Sequence, residues 1–259
     1  MRKHENYREL VWMLAKTDFK LRYQGSVLGY VWALLKPLLM FLVLNFVFSS
    51  IFNPRNIPGA EYYSLQLLTA IMMFNFFAEG TNAGMSSLLS KSQLVTKIYV
   101  PRWTIILAST LNSALIYSMN LLIIIGFFIY KGFIPSAPSI LLFFVFSIII
   151  YILVVSFAFL TAPLYVKFRD LAMIWEVLVQ ILFYATPIVY PLQMMPANVQ
   201  QLLLINPMAF IIHFTKEALI NNHFADPWKT TVFLLTVGGA FIVSMFSYRK
   251  FIPRVAEDI

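Results

Sequence analysis

Apolar residues run along this chain in long blocks, with charge, proline and glycine gathered between them. Six blocks reach the roughly 20 residues that a helix needs to cross the hydrocarbon core of a bilayer. They are about Val31–Phe52, Tyr62–Met85, Thr104–Tyr130, Pro138–Val166, Leu171–Tyr190 and Lys229–Tyr248. Turn or charge signals such as Asn53-Pro54-Arg55 and Lys167-Phe168-Arg169-Asp170 part them. The alternation over ten-residue units that marks a membrane barrel is absent. The pattern predicts an all-α membrane protein with six transmembrane helices. It falls into three parts: a segment over 1–30, a six-span domain over 31–248, and a tail over 249–259.

Two stretches fit neither a span nor a simple loop. Between the fifth and sixth spans, over 191–228, Val199–Ile205 and Met208–Ile220 are apolar but too short to cross, and Pro196 and Pro207 stand just before them. Proline suits the first turn of a helix, so two short helices are predicted there. They read either as re-entrant helices that dip in from one face or as helices lying on that face. Before the first span, Tyr7–Tyr23 places Tyr7, Leu10, Val11 and Leu14 on one helical face, as in a helix lying in the membrane interface. Asp18 falls on that same face and interrupts it, and stands i, i+4 to Arg22, a spacing at which the two can pair. That helix is a membrane-surface anchor or a docking surface for a cytoplasmic partner.

Composition narrows the class. Of 259 residues, 60% are hydrophobic and 12% charged, with a mean hydropathy of +0.79. Soluble domains carry about 25% charged residues, so a water-soluble enzyme and a disordered chain are both excluded. With no cysteine there are no disulfides, thiolate nucleophiles or cysteine-held metals. The net charge of +8 would suggest nucleic acid on a soluble protein, but here it is split across the membrane. Fifteen of the 19 lysines and arginines fall in the N-terminal segment, the second and fourth loops and the tail, against Arg55, Lys131, Lys216 and Lys229 on the other side. Basic loops stay in the cytoplasm, so both termini are predicted to be cytoplasmic, with no nucleic-acid partner. Arg2 and Lys3 are followed by more charge rather than by a short apolar core, so the first thirty residues do not read as a signal peptide.

Catalytic patterns are missing. No Gly-rich phosphate loop with Gly-Lys-Ser or Gly-Lys-Thr occurs, nor His-Glu-x-x-His, nor Gly-x-Ser-x-Gly, and His4, His213 and His223 are not spaced as ligands on one helix turn. No catalytic residue and no metal site is assigned. The polar residues inside the spans say more. In the second span Asn75, Glu79, Asn82 and Ser86 recur at i, i+4, i+7 and i+11. In the first, Phe41, Asn45, Phe48 and Phe52 share that spacing, and in the fifth Glu176, Gln180 and Tyr184 follow one side. The third adds Ser109, Asn112, Ser113 and Asn120. A carboxylate in a span faces a bundle interior or water. These stripes are either interhelical packing contacts or the wall of a conduit, and mixed aromatic and amide walls suit sugars. Gly80-x-x-x-Gly84 allows a close helix contact.

Several blocks, in order along the chain, carry a resemblance. They are Leu14-Ala-Lys-Thr-Asp-Phe-Lys-Leu-Arg-Tyr-Gln-Gly-Ser-Val-Leu-Gly-Tyr-Val-Trp-Ala-Leu-Leu-Lys-Pro-Leu-Leu39, Leu94-Val-Thr-Lys-Ile-Tyr-Val-Pro-Arg102, Phe168-Arg-Asp170, Ala185-Thr-Pro-Ile-Val-Tyr-Pro191 and Ile205-Asn-Pro-Met208. Together they resemble the permeases of ABC-type exporters of polysaccharides and polyol phosphates. The resemblance implies a homodimer of six-span subunits in the bacterial inner or plasma membrane, bound to two copies of a separate ATPase that holds ATP and Mg2+. No cofactor is implied in this chain. It further implies that Asp18, Lys20 and Arg22 lie near that ATPase, and that Ser87, Lys91, Gln93 and Lys97 belong to the coupling segment Ser87–Lys97. Pro196, Pro207, His213 and Lys216 would belong to an outer gate of re-entrant helices. A lipid-linked glycan of O-antigen, capsule or teichoic acid type would pass between subunits along the first, second and fifth spans, with Phe41, Asn45, Phe48, Phe52, Asn75, Glu79, Asn82, Glu176, Gln180 and Tyr184 on its wall. A permease for a small lipid or drug, and an ATP-independent channel, are the alternatives.

Overall fold

A computed structural model describes residues 6–52, 62–97 and 100–254, and every regular element among them is helical. Arg2, Lys3, His4 and the turn Asn53-Pro54-Arg55 lie outside the described residues, as do the side chains of Phe52 and Lys97. The helices are α1 (Tyr7–Tyr23), α2 (Val31–Phe52), α3 (Tyr63–Ser90), α4 (Ser92–Lys97), α5 (Arg102–Tyr130), α6 (Ala137–Lys167), α7 (Leu171–Tyr184), α8 (Ala197–Leu203), α9 (Pro207–Asn221) and α10 (Pro227–Phe251).

Helix starts follow local chemistry. Ser136, Asn206 and Asp226 each accept a hydrogen bond from a first-turn N–H of α6, α9 and α10, with a proline in the first two helical positions. Such caps satisfy donors that have no partner inside the helix, and the proline N lacks the proton that would go unbonded there. The end of α9 is set by Asn222, whose φ of 53° is left-handed; its N–H closes on the Glu217 carbonyl. Asparagine tolerates that conformation better than most residues with a side chain.

The helix α3 sits at the centre, with 18 of its 28 residues buried, and packs against α2, α5, α6, α7 and α9. Its contact with α6 depends on Gly80 and Gly84. A Cβ on Gly80 would lie 2.7 Å from Val154 Cγ1, and one on Gly84 would collide with Ala158 Cβ. Small residues let helix backbones approach in a membrane, where close packing rather than exclusion of water drives association. Around this contact Phe76 stacks on Tyr117 at 4.4 Å, and the Tyr117 hydroxyl meets Ser147 Oγ at 3.0 Å.

Among the described residues four helices are long and apolar enough to cross a membrane: α2 over Val31–Ser49, α5, α6 and α10. The pair α8 and α9 is bent by 111°, and would be a fifth if counted as one crossing. The helix α3 equals these in length but carries Gln66, Asn75, Glu79 and Asn82 and is enclosed by its neighbours. The apolar block Leu171–Tyr190 is not one helix. Helix α7 stops at Tyr184 after 14 residues, and Ala185–Tyr190 leaves the helical path. Pro187 disfavours helical geometry at Thr186, so the apolar pattern continues where the helix does not.

Helix α1 packs along α5, with Ala15 fully buried and Tyr7 edge-on to Trp103 at 5.6 Å. The i, i+4 pair of Asp18 with Arg22 is not formed. Each residue reaches a different partner on or beside α3, which is why a carboxylate interrupts the apolar face.

Candidate functional site

A cavity of about 730 Å³ lies between the end of α1, the first half of α2, and faces of α3 and α5. From α3 it receives Asn75, Ala78, Glu79 and Asn82, so the polar stripe of that helix lines one wall. From α1 come Arg22 and Tyr23; from α2 come Trp32, Ala33, Lys36, Pro37, Leu39 and Met40; from α5 come Ile116 and Asn120. The 3.6-residue turn of α3 puts three of its polar side chains on a single face, and α2 covers that face. Asn75 and Asn82 stand seven residues apart on α3, so the cavity extends about 10 Å along the helix axis.

The electrostatics of the cavity are mixed. Arg22 Nη2 donates to Glu79 Oε1 at 3.0 Å, while no carboxylate among the described residues pairs with Lys36. Two cations, one carboxylate and three amides therefore share the walls with Trp32 and Tyr23. Burial raises the Tyr23 phenol above its ordinary pKa, opposed by Arg22 and reinforced by Glu79. Asn120 is 5% exposed and its Oδ1 has no protein partner. Asn112 Oδ1 and Ser113 Oγ, further along α5, are likewise buried without partners. An amide oxygen left unbonded inside a protein loses about 1–3 kcal/mol unless something else bonds it. The walls can thus bond hydroxyls, engage acidic groups and stack ring faces.

Lys36 and Asn120 join this site although the stripes of the first and second spans did not include them. A signal for Lys36 was present: an ionisable residue five positions inside an apolar block is itself a site marker. Asn120 belonged to the polar run on the third span, but its facing depends on how α5 packs.

The other residues on the sequence-derived wall stand elsewhere. Phe41 is 2% exposed and packed edge-on to Phe127 of α5 at 5.4 Å, so it faces into the protomer. Asn45 Oδ1 is buried without a partner, and Phe48 is half-buried against the core. Glu176, Gln180 and Tyr184 lie on the exposed face of α7 with Val177 and Ile181, away from the cavity. That helix buries only Trp175, whose indole N–H donates to Thr81 Oγ1 at 3.1 Å.

Of the coupling residues, Ser87 is buried inside α3 and donates to the Gly84 carbonyl at 2.6 Å. The helix breaks at Lys91, whose Nζ pairs with Asp18 and donates to Ser109 Oγ at 3.1 Å. Gln93 is exposed on the short α4, and Lys20 is exposed near the end of α1. Among the gate residues, Pro196 and Pro207 stand at the starts of α8 and α9. His213 meets Phe214 edge-on at 4.9 Å, and Lys216 is buried on α9. Among the described residues no three His, Asp or Glu side chains gather as metal ligands.

The family model described as ABC-2 type transporter matches residues 9–219. An O-antigen export system permease protein of Klebsiella pneumoniae is 28% identical over 247 residues, 93% of each chain. Its counterpart of the same description in Myxococcus xanthus is 27% identical, covering 84% of this chain and 82% of its own. A polysialic acid transport protein of Escherichia coli is 22% identical, covering 81% of this chain and 80% of its own. The match of the family model runs from the start of α1 almost to the end of α9, and the chain belongs to the ABC-2 type transporter family.

Proposed function

We propose that this chain is the transmembrane permease of an ATP-driven exporter that moves a lipid-linked polysaccharide out of the bacterial cytoplasm. The observation that carries the reading is the near end-to-end likeness to an O-antigen export permease, 93% of each chain. The cavity supports it, because amides, cations and an indole ring are the groups that bind glycan hydroxyls, acidic substituents and sugar faces.

In this reading α2, α3, α5, α6, α7 with its apolar extension, and α10 form the six spans. Residues 1–30 lie at the cytoplasmic face and 249–259 form a cytoplasmic tail, as the basic loops require. The bent pair α8 and α9 dips in from the outside as a re-entrant gate. Two copies of the chain assemble, and each binds one copy of a separate ATPase that supplies ATP and Mg2+ chemistry. The permease makes and breaks no covalent bond. ATP closes the ATPase pair, which pushes on the α3–α4 junction. Lys91 passes that displacement to α1 through Asp18, and Arg22 passes it back to α3 through Glu79. The cavity between α1, α2 and α3 changes shape, and the glycan advances toward the exposed face of α7.

Deletion of the gene tests the reading. Surface polysaccharide should disappear, lipid-linked glycan should accumulate inside the cell, and the intact chain supplied in trans should restore export. A deletion strain with unchanged surface polysaccharide would overturn it, and ATP hydrolysis by the purified permease alone would overturn the division of labour.

A further inference from the structure

The end of α7 is held by an unusual set of bonds. Beyond Tyr184 the backbone leaves the helical path, yet Thr186, Pro187 and Ile188 are buried. The Thr186 carbonyl accepts from the Ile188 N–H at 2.7 Å, but the carbonyls after it lack the partners that a continuing helix would provide, and a buried carbonyl needs a donor. Three side chains donate here, two of them to carbonyls. Tyr63, at the start of α3, donates its hydroxyl to the Val189 carbonyl at 2.7 Å, and Asn206 donates to Thr186 Oγ1 at 3.1 Å. Lys216, on α9, donates Nζ to the Pro187 carbonyl at 2.9 Å and to the Ile188 carbonyl at 3.4 Å.

Lys216 is 7% exposed, and among the described residues no carboxylate lies within ion-pair distance of it. Its neighbour Glu217 is engaged elsewhere, accepting from Gln193 at 2.7 Å and from Asn221 at 2.9 Å. An ammonium buried this way is costly unless its protons are bonded, and two carbonyls just past a helix C-terminus are favourable acceptors for a cation. The two helices it joins differ in how firmly they sit. Ten residues of α9 are buried, chiefly against α6 and α3, whereas α7 buries only Trp175.

We propose that Lys216 is the positioning residue of α7: its ammonium fixes the outer end of that helix to α9, so the exposed face carrying Glu176, Gln180 and Tyr184 keeps one orientation and moves with α9. The bond itself is independent of the cargo. Its consequence for export rests on the reading of α7 as a channel wall.

The chain contains no cysteine, so a single introduced thiol reports local opening without background. Ile188→Cys places it at a fully buried position beside the bond, and Ala108→Cys places a control in the fully buried part of α5. Each is combined with Lys216→Met, which keeps the stem and removes the donors, and with Lys216→Arg, which keeps donors. Maleimide labelling is followed on the full chain with its ATPase in nanodiscs. The expected result is about a tenfold rise in labelling at position 188 for Lys216→Met, little change at position 108, and return toward the parent rate for Lys216→Arg. Parent-like labelling at position 188 in Lys216→Met overturns the proposal, and so does an equal rise at position 108, which would mean general unfolding. Glycan export measured on the same variants separates the two readings. Local opening at position 188 in Lys216→Met, when the parent with Lys216 intact exports no glycan, leaves the Lys216 bond standing and removes the polysaccharide reading.

Discussion

Arg22 of α1 and Glu79 of α3 form an ion pair at 3.0 Å across 57 positions of sequence. One helical turn earlier, Asp18 pairs with Lys91, where α3 ends. The two contacts run in opposite charge order: α1 offers an acid to a base and then a base to an acid. A helix held by such a pattern has one preferred register, because a shift along α3 would bring like charges together. The same contacts join the α3–α4 junction to the wall of the cavity, through a helix that would otherwise be only a surface anchor.

Reversing one charge therefore lowers export, and reversing both restores part of it. Glu79→Arg should impair export strongly, and Arg22→Glu with Glu79→Arg should recover a measurable fraction. The two side chains are 39% and 29% exposed, so their coupling in a double-mutant cycle of stability is expected at only about 0.2–1 kcal/mol. Surface glycan quantified against membrane protein level checks the first outcome, and thermal unfolding in detergent checks the second. Equal export in the single and double variants would remove the register role.

Substitution at the glycines of α3 acts on assembly of the bundle. Gly84→Val drives its side chain into Ala158 and Thr110, and backbone of α6 lies close behind. Overpacking of this kind destabilises by about 1–3 kcal/mol. A lower melting temperature and less folded protein in the membrane are the expected outcome. Gly126→Ala, where a Cβ would meet nothing within 4 Å, is the control and should lower neither, since alanine favours a helix interior over glycine.

The indole of Trp175 is the main tie between the middle of α7 and α3. It donates to Thr81 Oγ1 at 3.1 Å and packs on Phe157 with ring centroids 4.0 Å apart. Trp175→Phe keeps a ring and loses the donor, leaving the buried Thr81 hydroxyl to its own helix carbonyls. The hydrogen bond's share of the lost stability is expected at about 0.5–1.5 kcal/mol, on top of the packing lost with the larger ring. That share should vanish when Thr81→Val is made first, which thermal unfolding of the four proteins of the cycle would show as a coupling energy.

Features set by local chemistry were legible in the sequence. Apolar block lengths marked α2, α5, α6 and α10, and Pro207 marked the start of α9. The end of α7 was not, because Ala185–Tyr190 is as apolar as the helix before it and hydropathy does not register a change of backbone path. The partner of Arg22 was also hidden. Asp18 stands at a good helical spacing, and only the packing of α1 against α5 brings Glu79 and Lys91 close enough to compete. For the site, the 3.6-residue period identified the face of α3 with Asn75, Glu79 and Asn82, but which helices cover that face is a tertiary fact. So Lys36 and Asn120 entered the site while Phe41 turned inward to Phe127.

The cavity itself is open to a direct test through Asn120 and Lys36. Asn120 is buried with an unbonded Oδ1, and its replacement by an apolar residue of similar size removes a polar wall group without breaking any protein–protein hydrogen bond of that oxygen. Asn120→Leu should therefore fold at least as stably as the parent, since loss of an unsatisfied buried acceptor is neutral or favourable. Export should nevertheless fall, because the wall loses a group that bonds hydroxyls. Lys36→Gln removes the cavity cation that has no carboxylate partner among the described residues, and should likewise reduce export with little effect on unfolding temperature. The paired readout is decisive: a group that only packs the bundle would move stability and export together, whereas a cavity wall separates them. If both variants export at the parent rate, or lose export only in step with melting temperature, Asn120 and Lys36 are packing residues and the cavity is not on the path of the glycan.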